Sequence, residues 1–163
     1  MNKGALEKFE ELNRLGLYSD SLKILDEFVS ETERSPELLV EKGRLIKLAE
    51  DSMYELEDAE ECFKKALVIE SMYTPALIEL GWHYLNVLDN AEEAKRYFLD
   101  ASSSCHDDAS VYLESYKGLL DCIVETDGVN TARLNVADNE RLSTEEREYI
   151  LDKLQGDGVV FWD

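Results

Sequence analysis

The chain has 163 residues, of which 44% are hydrophobic and 33% are charged, a composition typical of an ordered domain with its own core. Its 17 Lys and Arg residues are outnumbered by 37 Asp and Glu residues, which gives a formal net charge of -20 at neutral pH. Nucleic acid and anionic membrane lipids bind concentrated Lys and Arg, so neither nucleic acid nor a membrane is expected as a direct partner. The acidity serves either solubility or the binding of a basic partner.

The N-terminal residues and the cysteines indicate the cellular compartment in which the protein is expected. Residues 1–8 carry no apolar signal core, and the chain has no run of about 18 apolar residues that would span a membrane. The three cysteines, Cys62, Cys105 and Cys122, are an odd number without metal-binding spacing, which suits a reducing compartment. We therefore expect a cytoplasmic protein.

The first predicted unit covers residues 1–36. Ala5, Phe9 and Leu12 mark a first helix, the residues 16–18 a turn, and the residues 21–34 a second helix. The second helix begins a pattern in which small or apolar residues stand at i, i+4 and i+7, on one helix face. The pattern returns after 38 and then 35 residues. Its three occurrences are Ser21, Leu25 and Phe28, then Ala59, Phe63 and Ala66, then Ala94, Phe98 and Ala101.

A second motif precedes two of these helices. It reads Leu39-x-x-Lys42-Gly43-x-x-Ile46 in residues 37–75 and Leu77-x-x-Leu80-Gly81-x-x-Tyr84 in residues 76–107. The unit 37–75 has about four extra residues within 49–57, which lengthen either the helices or the loop between them. In a degenerate fourth unit, residues 108–141, a helical stripe is formed by Leu113, Tyr116, Leu120 and Ile123 or Val124.

The remaining residues, 142–163, predict a capping helix and an apolar tail. Ser143 followed by Glu146 is the pattern of a helix start, and a helix is expected from Thr144 to Gln155. Beyond it, the tail contains Phe161 and Trp162. Because water disfavours a free apolar tail, it either folds back on the helices or docks on a partner or a neighbouring subunit, which makes a homodimer possible.

These motifs resemble the tetratricopeptide repeat (TPR) family, whose unit of about 34 residues reads W-x2-L-G-x2-Y, then A-x3-F, then P. The resemblance covers residues 1–125 and is closest in 77–101, where Leu77 replaces the tryptophan. It implies an all-α fold, an α-solenoid of antiparallel helix pairs wound as a right-handed superhelix, in one TPR-like domain over residues 1–163. Ordinary bundle helices and a related family of stacked helical repeats remain alternatives.

The resemblance further implies a concave groove lined by the first helix of each unit, in which a protein or peptide binds. Carried over by position, the partner-binding residues are Leu6, Glu10, Asn13, Val40, Arg44, Lys47, Ile78, Trp82 and Leu85. Glu114 and Asp121 are the positions expected in the fourth unit. Trp82 is the strongest candidate for a binding hot spot, although a tryptophan at this spacing often packs between helices.

Enzymatic chemistry is not expected. The contiguous residues 105–108, Cys-His-Asp-Asp, lack the i, i+3 or i, i+4 spacing of metal ligands on a helix, and no phosphate loop or nucleophile motif occurs. We expect no catalytic residue, no metal and no cofactor. The glutamate pairs at 60–61, 92–93 and 145–146 are expected in first helical turns, where they favour the helix dipole.

The sequence thus predicts a non-enzymatic protein-protein interaction module, an adaptor, assembly factor or chaperone. The lysine, asparagine and arginine clamp by which some TPR proteins hold a terminal carboxylate is missing, because Leu6, Glu10 and Val40 stand at its positions. Alternatives are a self-assembling structural protein, a secretion chaperone, and an immunity-type inhibitor of a basic partner. A metal-dependent activity around His106 is a further alternative.

Overall fold

The computed structural model describes residues 1–50, 53–105 and 108–155, and in these residues it contains helices and no strand. The all-α prediction is therefore confirmed. No helix in this part of the chain is both long enough and apolar enough to cross a bilayer. The helices are α1 (Lys3–Arg14), α2 (Tyr18–Glu27), α3 (Val29–Thr32), α4 (Pro36–Leu48), α5 (Leu56–Ile69), α6 (Thr74–Asn86), α7 (Ala91–Ser104), α8 (Ala109–Asp127), α9 (Val129–Asp138) and α10 (Thr144–Lys153).

The helices form two compact units, Met1–Leu80 and Gly81–Asp163, whose boundary falls within α6. In the first unit, α1 packs on α2, α2 and the short α3 pack on α4, and α4 packs on α5. In the second unit, α7 packs on α8, α8 on α9, and α9 on α10. Within each unit, these packed pairs join helices that are close together in the chain.

The core of each unit is built on the two sequence motifs. All three residues of the second and third small-large-small sets have exposures of 0%, and so do Ser21 and Leu25 of the first set. In the first unit, the ring of Phe63 lies against Gly43, where an added Cβ would come within 3.0 Å of three ring atoms. In the second unit, the ring of Phe98 lies between Gly81 and Gly118 in the same way. Glycine is needed here because only a missing side chain leaves room for the aromatic ring.

The second helix expected over residues 21–34 is broken at Phe28. Its dihedral angles of φ -110° and ψ 39° lie outside the helical region, so α2 ends at Glu27 and α3 begins at Val29. The hydroxyl of Thr32 donates to the carbonyls of Leu25 and Phe28, at 3.2 and 3.1 Å. Thr32 is 2% exposed, and its side chain thereby satisfies carbonyl groups next to the break.

The described residues between α4 and α5, 49–50 and 53–55, form part of a loop, and they compensate for an irregular core position. Lys42 occupies the motif position in residues 37–75 that the buried Leu80 occupies in residues 76–107, and the side chain of Lys42 is only 13% exposed. Lys42 Nζ donates to Asp26 at 2.7 Å and to the hydroxyl of Tyr54, which lies in the loop, at 3.1 Å. Tyr54 in turn donates to Asp26 at 2.7 Å. The loop thus supplies a hydrogen-bond partner that a buried ammonium group requires.

The C-terminal helix expected from Thr144 to Gln155 is present as α10, which begins at Thr144 and ends two residues earlier, at Lys153. Ser143 and Glu146 form a reciprocal capping box at its start. On its inner face Ile150 and Leu154 are 0% and 1% exposed, and α10 packs on α9. The carbonyl of Leu154 accepts a hydrogen bond from Arg133 at 3.0 Å.

One arginine fastens the loop before α10 to the end of α7. The guanidinium group of Arg141 lies 3.6 Å from the ring centroid of Tyr112. It donates to the carbonyl of Ser102 at 3.0 Å and also to the carbonyl of Cys105. A cation at this place stabilises the negative end of α7.

The expectation for the glutamate pairs holds for two of them. The pairs 92–93 and 145–146 lie in the first turns of α7 and α10. For Glu60 and Glu61 it is wrong, because α5 begins earlier, at Leu56, and both residues lie beyond its first turn. They instead pair with lysines four residues later, Glu60 with Lys64 at 2.6 Å and Glu61 with Lys65 at 3.2 Å.

Candidate functional site

The nine groove positions carried over from the TPR pattern differ widely in exposure. Val40, Ile78 and Leu85 are only 2%, 4% and 7% exposed, so these three side chains belong to the core and are not accessible to a partner. Their apolar character is explained by packing. Leu6, Glu10 and Arg44 are exposed, whereas Asn13, Lys47 and Trp82 are partly buried.

The polar residues among these positions are joined by hydrogen bonds from one first helix to the next. Asn13 Nδ2 on α1 donates to Glu41 Oε1 on α4 at 3.0 Å. Arg44 Nε and Lys47 Nζ on α4 donate to the two carboxylate oxygens of Glu79 on α6, at 2.7 and 3.0 Å. The surface that these bonds cross is called here the first-helix face, and its residues are Leu6, Glu10, Asn13, Glu41, Arg44, Lys47 and Glu79.

The acceptors Glu41 and Glu79 were not among the predicted site residues. Each lies two positions before a core glycine, Gly43 or Gly81, so the two glutamates are equivalent by repeat. The signal was present in the sequence as a glutamate that recurs after 38 residues. The hydrogen-bond partners of these glutamates could not be predicted, because a helical period shows the face on which a residue lies but not what that residue contacts on another helix.

The pairing of Arg44 and Lys47 with Glu79 changes the electrostatics of the first-helix face. The side chain of Glu79 is only 14% exposed, so its carboxylate is held between the helices while it accepts from both cations. A partly buried carboxylate with two cationic donors forms a stronger interaction than an exposed pair. The two cations of the face are therefore engaged within the chain, and the exposed Glu10 leaves the face acidic.

Trp82 packs against the core of the second unit. Its ring meets that of Phe98 edge to face, with centroids 4.9 Å apart. Phe98 is itself fully buried between Gly81 and Gly118. The side chain of Trp82 therefore has a packing role, and its partial exposure leaves the remainder of the ring accessible.

Gly118 indicates a different register for residues 108–141 from the one expected. It follows Gly81 by 37 residues and contacts the same phenylalanine. The groove positions lie three before, one after and four after the core glycine, which in this unit gives Ser115, Leu119 and Cys122. All three are buried. Glu114 and Asp121 were the positions expected, and each is one residue away from this register.

The three cysteines and His83 are buried. Burial raises the pKa of Cys62 to about 11 and that of Cys122 to about 12, so both are neutral thiols at pH 7. His83 is 2% exposed. Within residues 1–50, 53–105 and 108–155, no group of three or more His, Cys, Asp and Glu side chains is arranged to hold a metal ion. His106 and the predicted tail residues Phe161 and Trp162 lie outside the described residues.

A pocket that the sequence did not predict lies at one end of the first unit. It is formed by residues 16–20, which comprise the turn between α1 and α2 and the first turn of α2, and by residues 48–50, at the end of α4, and its volume is about 420 Å³. The apolar side chains of Leu17 and Leu48 line it and are 47% and 53% exposed. Asp20 and Glu50 also line it. We call it the turn pocket.

Among the described residues, the first-helix face and the turn pocket are both accessible, and both combine apolar and acidic side chains. Neither arrangement assembles a nucleophile with a base, whereas both suit noncovalent contact with another molecule. Compared with known protein families, with curated proteins and with solved structures, the chain matches none of them.

Proposed function

We propose that the chain is a non-enzymatic protein-protein interaction module that binds a segment of a partner protein along the first-helix face. In this proposal the helix pairs stack as a TPR-like solenoid with a right-handed superhelical turn, and the first helices line its concave side. The repeated contacts between glycine and phenylalanine support the repeat interpretation, because Gly43 lies against Phe63 in the first compact unit and Gly81 lies against Phe98 in the second.

One observation carries the proposal. Polar side chains link α1 to α4 and α4 to α6 through the equivalent glutamates Glu41 and Glu79. Three first helices of successive repeats thereby present one surface, as groove binding requires. The bonds also fix these side chains before a partner arrives, which lowers the entropy cost of binding.

The chemistry of the face favours a basic partner segment. Arg44 and Lys47 both pair with the carboxylate of Glu79, and the three glutamates of the face outnumber these two cations, which leaves the face with a net charge of -1. Glu10 is exposed and is available to a lysine or arginine of the partner. Leu6, 42% exposed, offers apolar contact beside it. The net charge of -20 adds long-range attraction for a basic protein.

Capture of partners from the native host with a surface variant tests the proposal. The double variant Leu6→Ser with Glu10→Ser alters the face at two exposed positions, so it should fold normally. The matched control Val68→Ser with Glu70→Ser makes the same chemical changes at exposed positions at the end of α5. Mass spectrometry should find a partner that binds the unmodified chain and the control but is lost with the face variant. Circular dichroism should show equal helical content in all three proteins.

Equal capture by the face variant and the control would refute this placement of the site. Recovery of nothing but further copies of the chain would favour the self-assembly alternative instead. Added salt provides a second check, since a basic segment should bind less tightly as ionic strength rises. Trp82→Ala is a poorer test, because it also removes the ring contact with Phe98.

A further inference from the structure

The hydrogen bonds between first helices form two junctions on the first-helix face, one between α1 and α4 and one between α4 and α6. At the junction of α4 with α6, Arg44 and Lys47 donate to Glu79 at 2.7 and 3.0 Å. Arg44 and Lys47 lie one and four residues after the core glycine of their repeat, and Glu79 lies two residues before the next core glycine. This carboxylate therefore receives hydrogen bonds from two cations of the preceding first helix.

The junction of α1 with α4 uses the same repeat positions but lacks both cations. Asn13 stands 34 residues before Lys47, and its Nδ2 donates to Glu41 Oε1 at 3.0 Å. Glu10 stands 34 residues before Arg44, but an ionised carboxylate accepts hydrogen bonds and cannot donate them. Glu41 therefore has one neutral donor, whereas the equivalent glutamate of the next first helix has two cationic donors.

The junction of α1 with α4 is thus short of hydrogen-bond donors. Among the described residues, no lysine or arginine pairs with Glu10 or Glu41. Arg14, one helical turn after Glu10, is exposed and forms no ion pair with it. Asn13 Oδ1 is buried and accepts no hydrogen bond within the described part of the chain. Most buried acceptors have a partner, so a missing donor points to a group that another molecule supplies.

From this comparison we infer that Glu10 and Glu41 bind an arginine side chain of the partner protein, at the place that Arg44 occupies at the other junction. Glu10 is exposed and Glu41 is partly buried, so the two carboxylates can be reached from the surface of the face. The planar guanidinium group can donate to both carboxylates at once, while the ammonium group of lysine is a point charge. The inference rests on the proposed function, since it names the residue of the basic segment and its position on the face.

Small probes test the inference without knowledge of the partner. Arginine, lysine and citrulline are titrated as their Nα-acetyl amides, because citrulline has nearly the shape of arginine but no charge. The side-chain amide signal of Asn13 in NMR spectra is the readout, since its Nδ2 bonds to Glu41. Arginine should shift this signal saturably. Lysine should bind more weakly than arginine, and citrulline should bind about tenfold more weakly or less.

Three variants locate the effect. Glu41→Gln should weaken arginine binding about tenfold, because it removes a charged acceptor. Glu10→Arg should abolish binding, because it supplies the guanidinium group within the chain, as Arg44 does for the next helix. The control Glu70→Gln makes the same change of charge as Glu41→Gln at an exposed position at the end of α5, and it should bind arginine normally. Circular dichroism should show equal helical content in all of them.

Equal affinities for arginine and citrulline, or no saturable shift of the Asn13 signal, would overturn the inference. Equal affinities for arginine and lysine would overturn the choice of arginine. The inference would also fail if Glu41→Gln and Glu70→Gln weakened binding equally, since that would indicate general attraction to an acidic surface, or if Glu10→Arg bound arginine normally. The proposed function would survive these results if the double variant of Leu6 and Glu10 still lost its partner. Equal capture by that double variant would count against the proposed function itself, even with arginine bound at Glu41.

Discussion

Substitution of Gly43 by alanine tests the contact between Gly43 and Phe63 in the core of the first compact unit. A Cβ added at Gly43 would lie within 3.0 Å of Phe63 Cε1, Cζ and Cδ1. The ring of Phe63 is 0% exposed and cannot move aside without displacing its neighbours. Overpacking of this kind typically costs about 1–3 kcal/mol. Alanine is the better helix former by about 1 kcal/mol, so the net loss of unfolding free energy should be about 0–2 kcal/mol.

A double-mutant cycle isolates the steric part of this effect. Leucine at position 63 lacks the Cε1 and Cζ atoms, so Gly43→Ala should be tolerated much better in a Phe63→Leu background. The coupling free energy between the two substitutions should then be about 1–3 kcal/mol, the size of the clash. Gly4→Ala is the matched control, because its Cβ would meet only Asn2 Oδ1, at 3.8 Å, and should stabilise α1 by up to about 1 kcal/mol.

Urea unfolding followed by circular dichroism gives the free energy of unfolding of the unmodified protein, the two single variants, the double variant and the Gly4→Ala control. Gly4, Gly43 and Phe63 lie in the same compact unit, so they report on one structure. A loss of about 1 kcal/mol lowers the midpoint by about 0.3–1 M for a slope of about 1–3 kcal/mol/M. The reasoning is refuted if Gly43→Ala stabilises the protein as much as Gly4→Ala does, or if the coupling is near zero.

Three further predictions concern buried and partly buried side chains. Ser21→Ala should raise the free energy of unfolding by about 1 kcal/mol in urea, because its hydroxyl is fully buried and has no hydrogen-bond partner among the described residues. Alkaline titration by circular dichroism should show destabilisation above about pH 10, because the pKa values of Lys42 and Tyr54 are both raised in the folded protein. Cys62 and Cys122 should react slowly with a thiol reagent in the folded protein at pH 8 and rapidly in urea, because both are buried.

The sign of the alkaline effect follows from the network around Lys42. Burial disfavours its charged form, but the hydrogen bonds to Asp26 and Tyr54 more than offset that cost, so the pKa of Lys42 is raised. Its contribution to stability is complete below the unfolded pKa of about 10.4 and is lost as the pH rises through the folded pKa. Burial raises the pKa of Tyr54, and the loss has the same direction. If the Lys42→Leu variant unfolded at the same alkaline pH as the unmodified protein, this assignment would be contradicted.

Controls separate the other two effects from general changes. Ser115→Ala should gain less than Ser21→Ala, because the buried hydroxyl of Ser115 already donates to the carbonyl of Tyr112 at 2.8 Å. Equal gains would mean that the missing partner of Ser21 is irrelevant. For the thiols, rapid labelling of Cys62 in the folded protein, shown by peptide mapping, would contradict its burial.

Local patterns in the sequence predicted the helices and much of the core. The alanine and phenylalanine sets lie on one face because their spacing matches the helical period, and all residues of the second and third sets are buried. The capping box at Ser143 was equally visible, since both of its hydrogen bonds join residues three apart. Such features depend on residues that are close together in the chain, so the sequence alone is enough to predict them.

Tertiary structure decided which groove positions remain accessible and which partners their side chains have. Val40 and Ile78 are buried because other helices cover them, although their helical positions match those of the exposed Leu6. Likewise, the sequence by itself indicated Arg44 and Lys47 as cations of the predicted groove wall. Only the folded chain brings Glu79 to them, across more than thirty residues, and makes the first-helix face acidic. Helical periodicity determines the direction of a side chain within its helix, while the packing of helices determines what it meets there.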